Sequence, residues 1–447
     1  MLTSFLKLKT LVLLTGDIIV LYASLILVVF IRYQHRFYGQ FFNYHLEPFT
    51  IVFIAWLIVF YVAGLYDLKF LKNNFQFKQL FGSILLINTA IAALFFYTMP
   101  AFQITPRANL ILFLIIFGIT DYVWRYFFNS AVSRTEPTSA ILAIGSNETM
   151  QEIISVIEKN PQLGYAIKFW MKEGLADKEF EHLSQILITH KINTVVIPAH
   201  LKKDQASAKR IYQMLVLGIE VIEISALYEL IFRMVPLSEL EEVWFLENLV
   251  RRHKIYDILI RPIEIFFAAF FLIALLPLLA LIAIFIKLTS RGPVIFTQTR
   301  IGKNDAPFTI YKFRTMPVDA EKAGPQWANY HKDTRATGIG NVLRKTHLDE
   351  LPQLINILKG ELSFVGPRPE RLEFVKELRK TIPYYDLRHL IKPGITGWAQ
   401  INYRYGASAH DAYQKLQYDV YYIKNRSPFI DSAIILKTLK FLITNHT

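Results

Sequence analysis

The sequence contains no cysteine, which excludes disulfide bonds and thiolate metal sites. Charged residues are also scarce, at 19% of the 447 residues against 53% hydrophobic residues, and the mean hydropathy is +0.31. This composition is too apolar for an ordinary soluble protein, and the length predicts two to four structural units.

The first half of the chain has no excess of either charge. Residues 1–250 contain 20 Lys and Arg and 20 Asp and Glu, whereas residues 251–447 contain 29 and 16, which accounts for the whole net charge of +13. A field of this kind suits phosphorylated small molecules, anionic lipid headgroups or nucleic acid. A basic surface that serves only solubility is the alternative interpretation.

Four long apolar runs open the sequence, roughly at residues 11–31, 50–66, 80–98 and 108–128. Each is about long enough to cross a hydrocarbon core of about 30 Å as a helix. The first run lacks a small-residue cleavage site and is too long for a removed signal peptide. Asp17 lies within it, and a charge there is expected to face other helices.

Basic residues between these runs favour placement of both ends of the group in the cytoplasm. The residues on the predicted cytoplasmic side are Lys7, Lys9, Lys69, Lys72, Lys78 and Arg134. Those in the other two loops are Arg32, Arg36 and Arg107.

Residues 137–235 alternate between strand and helix patterns, which predicts a small parallel α/β domain. "SAILAIG", "YAIKFWM" and "NTVVIPA" are typical of strands, and "ETMQEIISVIEK" is typical of a helix. The turn after the first strand contains Gly145 but not the second and third glycines of a dinucleotide-binding fingerprint. A regulatory or structural role is therefore favoured over nucleotide binding.

A fifth apolar run at residues 266–287 contains Pro277 near its middle. Proline removes a backbone hydrogen bond there, so the helix is expected to bend. The flanks on both sides are basic, which favours a re-entrant helix that enters the membrane and returns to the same face. A crossing helix that tolerates the proline is the alternative.

The stretch "SRGPVIFTQTRIGKNDAPFTIYKFRTM" predicts two strands joined by a turn at Gly302 and Asn304. A hairpin of this kind brings basic side chains together, and such a group can hold phosphate oxygens. The side chains are Arg300, Lys303, Lys312 and Arg314. Exposed hairpins are often basic without binding anything.

"IGNVLRKTHLDELPQLINIL" has helical periodicity and places Asp349, Gln353 and Asn356 on one polar stripe. Two stiff or glycine-rich loops follow, "SFVGPRPE" with Arg368 and "PGITGWAQINYRYG" with Gln400. The acids Asp349 and Glu350 stand side by side among these cations. One carboxylate could attack phosphorus while the other holds Mg²⁺. A surface acid pair in a structural ion network is the alternative.

Several ordered motifs across residues 250–447 resemble the bacterial sugar transferase family, the polyprenyl-phosphate hexose-1-phosphate transferases. The motifs are "FTQTRIGKNDAPFTIYKFRTM", "LRKTHLDELPQLINILKGELSFVGPRPE", "PGITGWAQIN" and "YDVYYIKN". Residues 1–250 resemble the N-terminal half of the large members. The resemblance implies a membrane protein of α plus α/β class. Its parts would be a four-helix transmembrane bundle, a Rossmann-like domain without an intact fingerprint, a re-entrant helix and a mainly helical α+β catalytic domain.

The resemblance also implies roles for individual residues. Asp349 would be the nucleophile, and Glu350 would belong to the Mg²⁺ site. The expected substrate- and phosphate-binding residues are Arg300, Lys312, Arg314, Arg335, Arg344, Arg368 and Gln400. The implied reaction transfers a sugar-1-phosphate from a UDP-sugar to undecaprenyl phosphate through an aspartyl-phosphosugar intermediate and releases UMP.

The expected organisation places five regions along the chain and faces the soluble ones to the cytoplasm of the bacterial inner membrane. The regions are four transmembrane helices at 1–135, the Rossmann-like domain at 136–240, a linker and pre-membrane helix at 241–262, the re-entrant helix broken at Pro277 at 263–290 and the catalytic domain at 291–447. The expected partners are the UDP-sugar, undecaprenyl phosphate and the lipid bilayer, with no nucleic acid; a homodimer is an open option.

Tyr403 stands where many family members have glycine, which leaves the identity of the sugar open. Two other functions are weighed against the transferase. A membrane-bound nucleotide-sugar dehydratase or epimerase would need a dinucleotide fingerprint and a Tyr-x-x-x-Lys pair, and neither is found in the sequence. A non-catalytic scaffold or regulator of polysaccharide assembly would release no UMP.

Overall fold

The computed structural model describes residues 2–67, 71–99, 107–134, 139–171, 183, 186–216, 218–249, 254–317, 320, 335–403 and 408–444. The chain divides into two compact units, Met1–Leu230 and Ile231–Thr447. Lys69, one of the predicted cytoplasmic residues, lies outside the described residues.

The first unit begins with four long apolar helices, as the sequence predicts. They are α1 (Leu2–Tyr33), α2 (Leu46–Ala63), α3 (Phe75–Thr98) and α4 (Arg107–Arg134). The predicted loop between the first two is instead a series of short helical turns, Gln34–Arg36, Phe37–Gln40 and Phe41–His45. The hydroxyls of Tyr22 and Thr50 lie 3.0 Å apart, so the chain reverses direction between α1 and α2.

Aromatic side chains pack these helices against each other. The ring of Phe113 in α4 lies 5.4 Å from the rings of Phe49 and Phe53 in α2 and 5.7 Å from that of Trp56. Large apolar residues also cover the outside of the helices, for example Leu86 at 74% exposure. Apolar groups both inside and outside are typical of helices surrounded by lipid.

Three helical stretches among the described residues are long and apolar enough to cross a membrane. They are Leu8–Ala63, which joins α1 and α2, and then Phe75–Thr98 and Asn109–Val132. The model therefore supports membrane association of the N-terminal region.

A buried ion cluster, the Arg125 cluster, joins α1 and α4 and consists of Asp17, Tyr66, Asp121 and Arg125. The Arg125 guanidinium pairs with Asp17 and lies 3.1 Å from Asp121 Oδ2, while the Tyr66 hydroxyl donates to Asp17 at 2.7 Å. The charged side chains are at most 1% exposed. The expectation that Asp17 faces other helices is confirmed.

A four-stranded parallel sheet follows in the same unit. Its strands are β1 (Ser139–Ile144), β2 (Tyr165–Met171), β3 (Thr194–Ile197) and β4 (Glu220–Glu223), in the spatial order β2-β1-β3-β4. The helices of this region are α5 (Glu148–Lys159), α6 (Gln205–Val216) and α7 (Ile224–Phe232), the last of which continues into the second unit. The predicted parallel α/β arrangement is confirmed.

The turn after β1 uses its backbone for internal contacts. The Gly145 N–H donates to Met171 O at 2.9 Å, and Trp170 Nε1 donates to Gly145 O at 2.8 Å. These contacts occupy the backbone that a dinucleotide fingerprint would present to a pyrophosphate.

The second unit contains a pair of apolar helices bent by 60°. After α8 (Glu242–Leu249) come α9 (Lys254–Ala274) and α10 (Leu276–Thr289), with the break at Leu275. Pro277 is thus in the first turn of α10, where its missing N–H removes no helical hydrogen bond. The bend that the proline predicts is present, two residues before it.

The predicted hairpin is also present, with β5 (Ile295–Ile301) antiparallel to β6 (Pro307–Phe313). Asn304 in its turn has a φ of 55°, which asparagine tolerates well. Both bent helices pack on β6: Ala268 of α9 contacts the cluster that contains Phe308 and Ile310, and Ile286 of α10 contacts the cluster that contains Phe313.

The predicted single helix around the acid pair is wrong. It is divided into α11 (Gly338–Lys345), a 3₁₀ turn (Leu348–Gln353) and α12 (Leu354–Lys359). His347 has a φ of 55°, which ends the first helix, and Pro352 lacks the N–H that would continue an α-helix through the turn.

The remaining elements surround this turn. They are β7 (Ser363–Val365), α13 (Leu372–Thr381), a 3₁₀ turn (Tyr385–Leu390), β8 (Gly394–Thr396, parallel to β7), α14 (Trp398–Asn402), α15 (Ala409–Asn425) and α16 (Pro428–Thr444). One face of α16 is buried at Ile434 while Phe429 is 86% exposed.

Candidate active site

The two adjacent acids lie on the 3₁₀ turn Leu348–Gln353, and both residues are 8% exposed. The tight turn directs them toward β6 and the loop that follows β7. Buried acids need compensation by cations or hydrogen bonds, so their partners determine what each can do.

Glu350 is held by two cations on one of its oxygens. Lys312 Nζ of β6 lies 2.7 Å from Glu350 Oε1, and Arg368 Nη2 from the loop after β7 lies 3.0 Å from the same oxygen. Burial raises the pKa of Glu350, but Lys312 and Arg368 outweigh burial and hold the pKa well below its ordinary value. Glu350 is therefore ionised and fixed in position. We call Lys312, Asp349, Glu350 and Arg368 the Glu350 cluster.

Asp349 has a different environment from its neighbour. No described residue donates a hydrogen bond to its carboxylate. Burial and the charge of Glu350 raise the pKa of Asp349 to about 6, against the opposing effects of Lys312, Arg368 and Arg344. At neutral pH it is thus a mostly ionised, poorly solvated carboxylate, which is a suitable nucleophile.

A cleft opens beside Glu350, and three of the predicted phosphate-binding residues line it, whereas Asp349 is not among its lining residues. The lining residues are Arg300, Ile310, Lys312, Glu350, Gln353, Arg368, Pro369 and Gly394. Arg300 Nη1 donates to Pro369 O at 3.1 Å, and burial lowers the pKa of Arg300 to about 10. The cleft therefore has an excess of positive charge, as binding of a diphosphate requires.

The structure places the other predicted residues away from the cleft lining. Arg314 donates to Ser290 O at 3.0 Å, beside the end of α10, and Arg344 Nε donates to Thr315 Oγ1 at 3.0 Å. Gln400 donates to Ile395 O at 3.0 Å. Arg335 is half-buried in the turn before α11. Phosphate-binding roles for these four residues stay predictions.

The predicted polar stripe separates into different positions. Gln353 lines the cleft, whereas Asn356 is fully buried and donates to Thr309 O and Glu361 at 2.7 Å each. Asn356 joins β6 to the end of α12 and has no exposure to the cleft.

Close backbone contacts fix the loop that carries Arg368. Gly366 N–H donates to Thr396 O and Gly394 N–H donates to Pro367 O, both at 2.9 Å. A Cβ atom on Gly394 would lie 2.1 Å from Gly366 N, and one on Gly397 would lie 2.1 Å from Gly366 O. The two glycine-containing loops of the sequence therefore pack backbone to backbone, which only glycine permits.

Sequence reasoning missed a buried pair behind this loop. Arg388 Nη2 donates to Arg368 O at 2.9 Å and lies 3.1 Å from Asp419 Oδ2. Arg388 lies in the stretch "PYYDLRHLIK", and Asp419 lies in the motif "YDVYYIKN". Their separation of 31 residues gives no sign that they meet.

The acid pair has the hard oxygen ligands that Mg²⁺ prefers. Both Asp349 oxygens and Glu350 Oε2 lack hydrogen-bond partners among the described residues, and the amide of Gln353 lines the same cleft. A second group within the described residues, Asp305, Asp386 and His389, also has ligand spacing. Arg379 pairs with both of its carboxylates, so that group is already compensated.

Comparison with known proteins matches residues 255–445 to the family model described as bacterial sugar transferase. The chain is 44% identical over 190 residues to the UDP-N-acetylgalactosamine-undecaprenyl-phosphate N-acetylgalactosaminephosphotransferase of Aeromonas hydrophila, covering 42% of this chain and 45% of that protein. It is 43% identical over 184 residues to the UDP-glucose:undecaprenyl-phosphate glucose-1-phosphate transferase of Escherichia coli, covering 40% and 39%.

The match thus spans less than half the length of each of these two relatives. The UDP-glucose:undecaprenyl-phosphate glucose-1-phosphate transferase of Caulobacter vibrioides is 39% identical over 191 residues, which cover 42% of this chain and 71% of that protein. On this evidence, the chain belongs to the bacterial sugar transferase family.

Proposed function

We propose that this protein transfers a sugar-1-phosphate from a UDP-sugar to undecaprenyl phosphate. The observation that carries the proposal is the difference in environment between the two adjacent acids. Glu350 is fixed by Lys312 and Arg368, while Asp349 has a raised pKa and no hydrogen-bond donor among the described residues. The activities for which the similar proteins are named support the same substrates.

The first step is attack by Asp349. Its carboxylate oxygen bonds to the β-phosphorus of the UDP-sugar, the bond from that phosphorus to the bridging oxygen breaks, and UMP leaves with that oxygen. Arg300, Lys312 and Arg368 line the cleft, where they stabilise negative charge that develops on the phosphate oxygens. The product of this step is an aspartyl-phosphosugar.

In the second step, a phosphate oxygen of undecaprenyl phosphate attacks the same phosphorus. The bond to Asp349 breaks, the carboxylate is regenerated, and undecaprenyl-diphospho-sugar forms. Undecaprenyl phosphate thus reacts with a covalent intermediate that carries less negative charge than the UDP-sugar.

Mg²⁺ is proposed as the cofactor, held by Glu350 with Asp349 adjacent, and when bound it would neutralise charge on the diphosphate. Chelation is expected to abolish UMP release, and Mg²⁺ is expected to restore it. Full activity after exhaustive chelation, with metal content checked by atomic absorption, would contradict this assignment.

The membrane arrangement is also part of the proposal. α1 to α4 form a four-helix transmembrane bundle, the α/β region is Rossmann-like, and α9 and α10 form a re-entrant helix in the bacterial inner membrane. Lys9 donates to Gln162 O at 3.2 Å and Lys72 to Lys159 O at 2.8 Å. These two predicted cytoplasmic residues therefore contact the α/β region, which supports a cytoplasmic position for it. The product would begin an exopolysaccharide, capsule or O-antigen.

A panel of UDP-sugars tests the proposal directly. The purified chain in lipid nanodiscs is mixed with undecaprenyl phosphate, Mg²⁺ and each UDP-sugar, and released UMP is measured. UDP-glucose and UDP-N-acetylgalactosamine are the first to test because the relatives are named for them. Release of UMP with at least one donor is expected; absence of UMP across the panel would favour the scaffold alternative.

A further inference from the structure

Helix α9 contacts the element that directly follows the acid pair. Arg261 Nη1 donates to Ile357 O at 2.7 Å, and Arg261 Nη2 donates to Leu358 O at 2.9 Å. These carbonyls belong to the last turn of α12, where Ile357 O also accepts a hydrogen bond from the N–H of the C-cap residue Gly360 at 2.9 Å. A cation at a helix C-terminus is also favoured by the helix dipole.

A second residue of α9 contacts the next element along the chain. Glu264 is 4% exposed and accepts a hydrogen bond from the hydroxyl of Ser363, the first residue of β7. Arg261 and Glu264 lie one helical turn apart, with 3.5 Å between Arg261 Nη1 and Glu264 Oε2. The two residues together thus hold the end of α12 and the beginning of β7.

The segment that contains these contacts connects Glu350 to Arg368, the two sides of the active site. It begins at Glu350, runs through α12 and β7, and reaches Arg368, and the 3.0 Å ion pair between Glu350 and Arg368 closes it. Gly360 turns the chain at the opposite end, with a φ of +85°. A Cβ atom there would lie 3.2 Å from Arg261 Nη2, so the turn fits closely against the arginine.

The opposite side of α9 is apolar and exposed along its length. Ile255 is 75% exposed, Phe266 is 64% exposed and Ile273 is 72% exposed. One face of the helix therefore suits lipid contact, while the other holds the segment that carries Glu350 and Arg368. Apolar packing alone would not require the buried carboxylate of Glu264 beside the partly exposed Arg261 on the second face, because burying a charge is costly.

We propose that Arg261 and Glu264 are positioning residues for the transfer reaction. They fix the Glu350–Arg368 pair relative to α9, so that the groups around Asp349 keep the geometry that its attack on the UDP-sugar requires. This inference rests on the proposed function, and it assigns to α9 a role beyond anchoring. The residues act through the segment they hold and do not touch substrate.

Single-turnover kinetics of the full chain in nanodiscs test the proposal. A UDP-sugar that the wild type accepts is added without undecaprenyl phosphate, so the amplitude of UMP release measures the fraction of competent enzyme and the rate constant measures the chemical step. We expect Arg261→Met to lower the rate constant by about 30-fold, with amplitude and KM for the UDP-sugar changing less than about threefold, because small misplacement of reacting groups is costly.

Two further variants sharpen the result. Arg261→Lys can donate to one carbonyl and is expected to recover part of the rate. Asp257→Asn on the same helix is the matched control. Asp257 pairs with Arg426 at 2.6 Å and, among the described residues, forms no ion pair with the segment from Glu350 to Arg368, so this variant is expected to leave the rate constant unchanged.

A lower amplitude with an unchanged rate constant would overturn the proposal, because it would show that Arg261 serves folding only. If Arg261→Met does not fold, Arg261→Lys decides: a wild-type rate constant for that variant contradicts the proposal, and a reduced one supports it. Absence of UMP from the wild type would instead refute the proposed function, which the same assay detects separately.

Discussion

Two buried ion clusters in this chain each contain two acids, but they differ in the number of cations: one in the Arg125 cluster and two in the Glu350 cluster. In the Arg125 cluster, the carboxylates of Asp17 and Asp121 share one guanidinium. In the Glu350 cluster, two cations share one carboxylate oxygen, and the second acid, Asp349, has no hydrogen-bond donor among the described residues. The first is closed to solvent, while the second lines a cleft.

This difference separates a structural cluster from a functional one. Burial, charge and paired acids occur in both, so none of these features identifies an active site alone. Among the described residues, the Glu350 cluster alone of the two combines excess positive charge in an accessible cleft with an acid, Asp349, that has no hydrogen-bond donor. The Arg125 cluster instead joins α1 to α4, where a polar contact has few competitors in an apolar environment.

The largest expected effect follows from replacing Asp349, the proposed nucleophile. Asp349→Asn retains the shape of the side chain but not its nucleophilic charge, so UMP release should fall by about 10³-fold or more. Asp386→Asn, an exposed acid paired with Arg379, is the control and should keep the wild-type rate. Turnover by Asp349→Asn at the wild-type rate would refute its role as nucleophile.

The second expected effect is on stability and concerns the Arg125 cluster. Arg125→Leu leaves two buried carboxylates without a cation and should destabilise the protein by about 3–5 kcal/mol. Denaturant unfolding in detergent micelles measures the change. Combining Arg125→Leu with Asp17→Asn and Asp121→Asn removes the uncompensated charge and should recover most of the loss; a single variant as stable as the wild type would show that the cluster is dispensable.

A smaller effect on the single-turnover rate of UMP release is expected when the pH is changed at a fixed Mg²⁺ concentration. The pKa of Asp349 is raised to about 6 by burial and by Glu350, and only the ionised form can attack. The single-turnover rate should therefore rise about tenfold between pH 4 and 5, bend near pH 6 and level off above pH 7. A rate that is constant from pH 4 to 7 would contradict the raised pKa.

The smallest effect is expected at the surface of the α/β region. Lys202 lies 2.7 Å from Glu223, but the lysine side chain is 46% exposed. Lys202→Met should change stability by less than about 1 kcal/mol and leave UMP release unaffected, because exposed ion pairs contribute little. A large loss of stability or of UMP release would show that this exposed ion pair contributes more than its exposure predicts.

Local sequence patterns predict much of this fold. The hairpin β5–β6, three of the four strands of the parallel sheet and the apolar helices follow from periodicity and turn residues, because the side chains that determine them are neighbours in sequence. Strand β4 is not among the predicted strands. The positive φ of His347 and the helical turns between α1 and α2 do not follow from the local sequence. Both depend on tertiary contacts that override helix and loop propensities.

The candidate site shows the same limit. The acid pair is visible in the sequence, but which cations reach it is not: Lys312 and Arg368 contact Glu350, whereas Arg314, two residues from Lys312, contacts Ser290. Arg261 lies about 90 residues from the pair in sequence and carries no motif of its own. Only the folded chain brings such residues together.

Mass spectrometry of the covalent intermediate tests the central claim most directly. The wild type is incubated with a UDP-sugar that it accepts and Mg²⁺, without undecaprenyl phosphate, and is then acid-quenched and digested. The account predicts a sugar-phosphate adduct on the peptide that contains Asp349, lost when undecaprenyl phosphate is added before quenching. UMP release with an adduct on a different residue would contradict it.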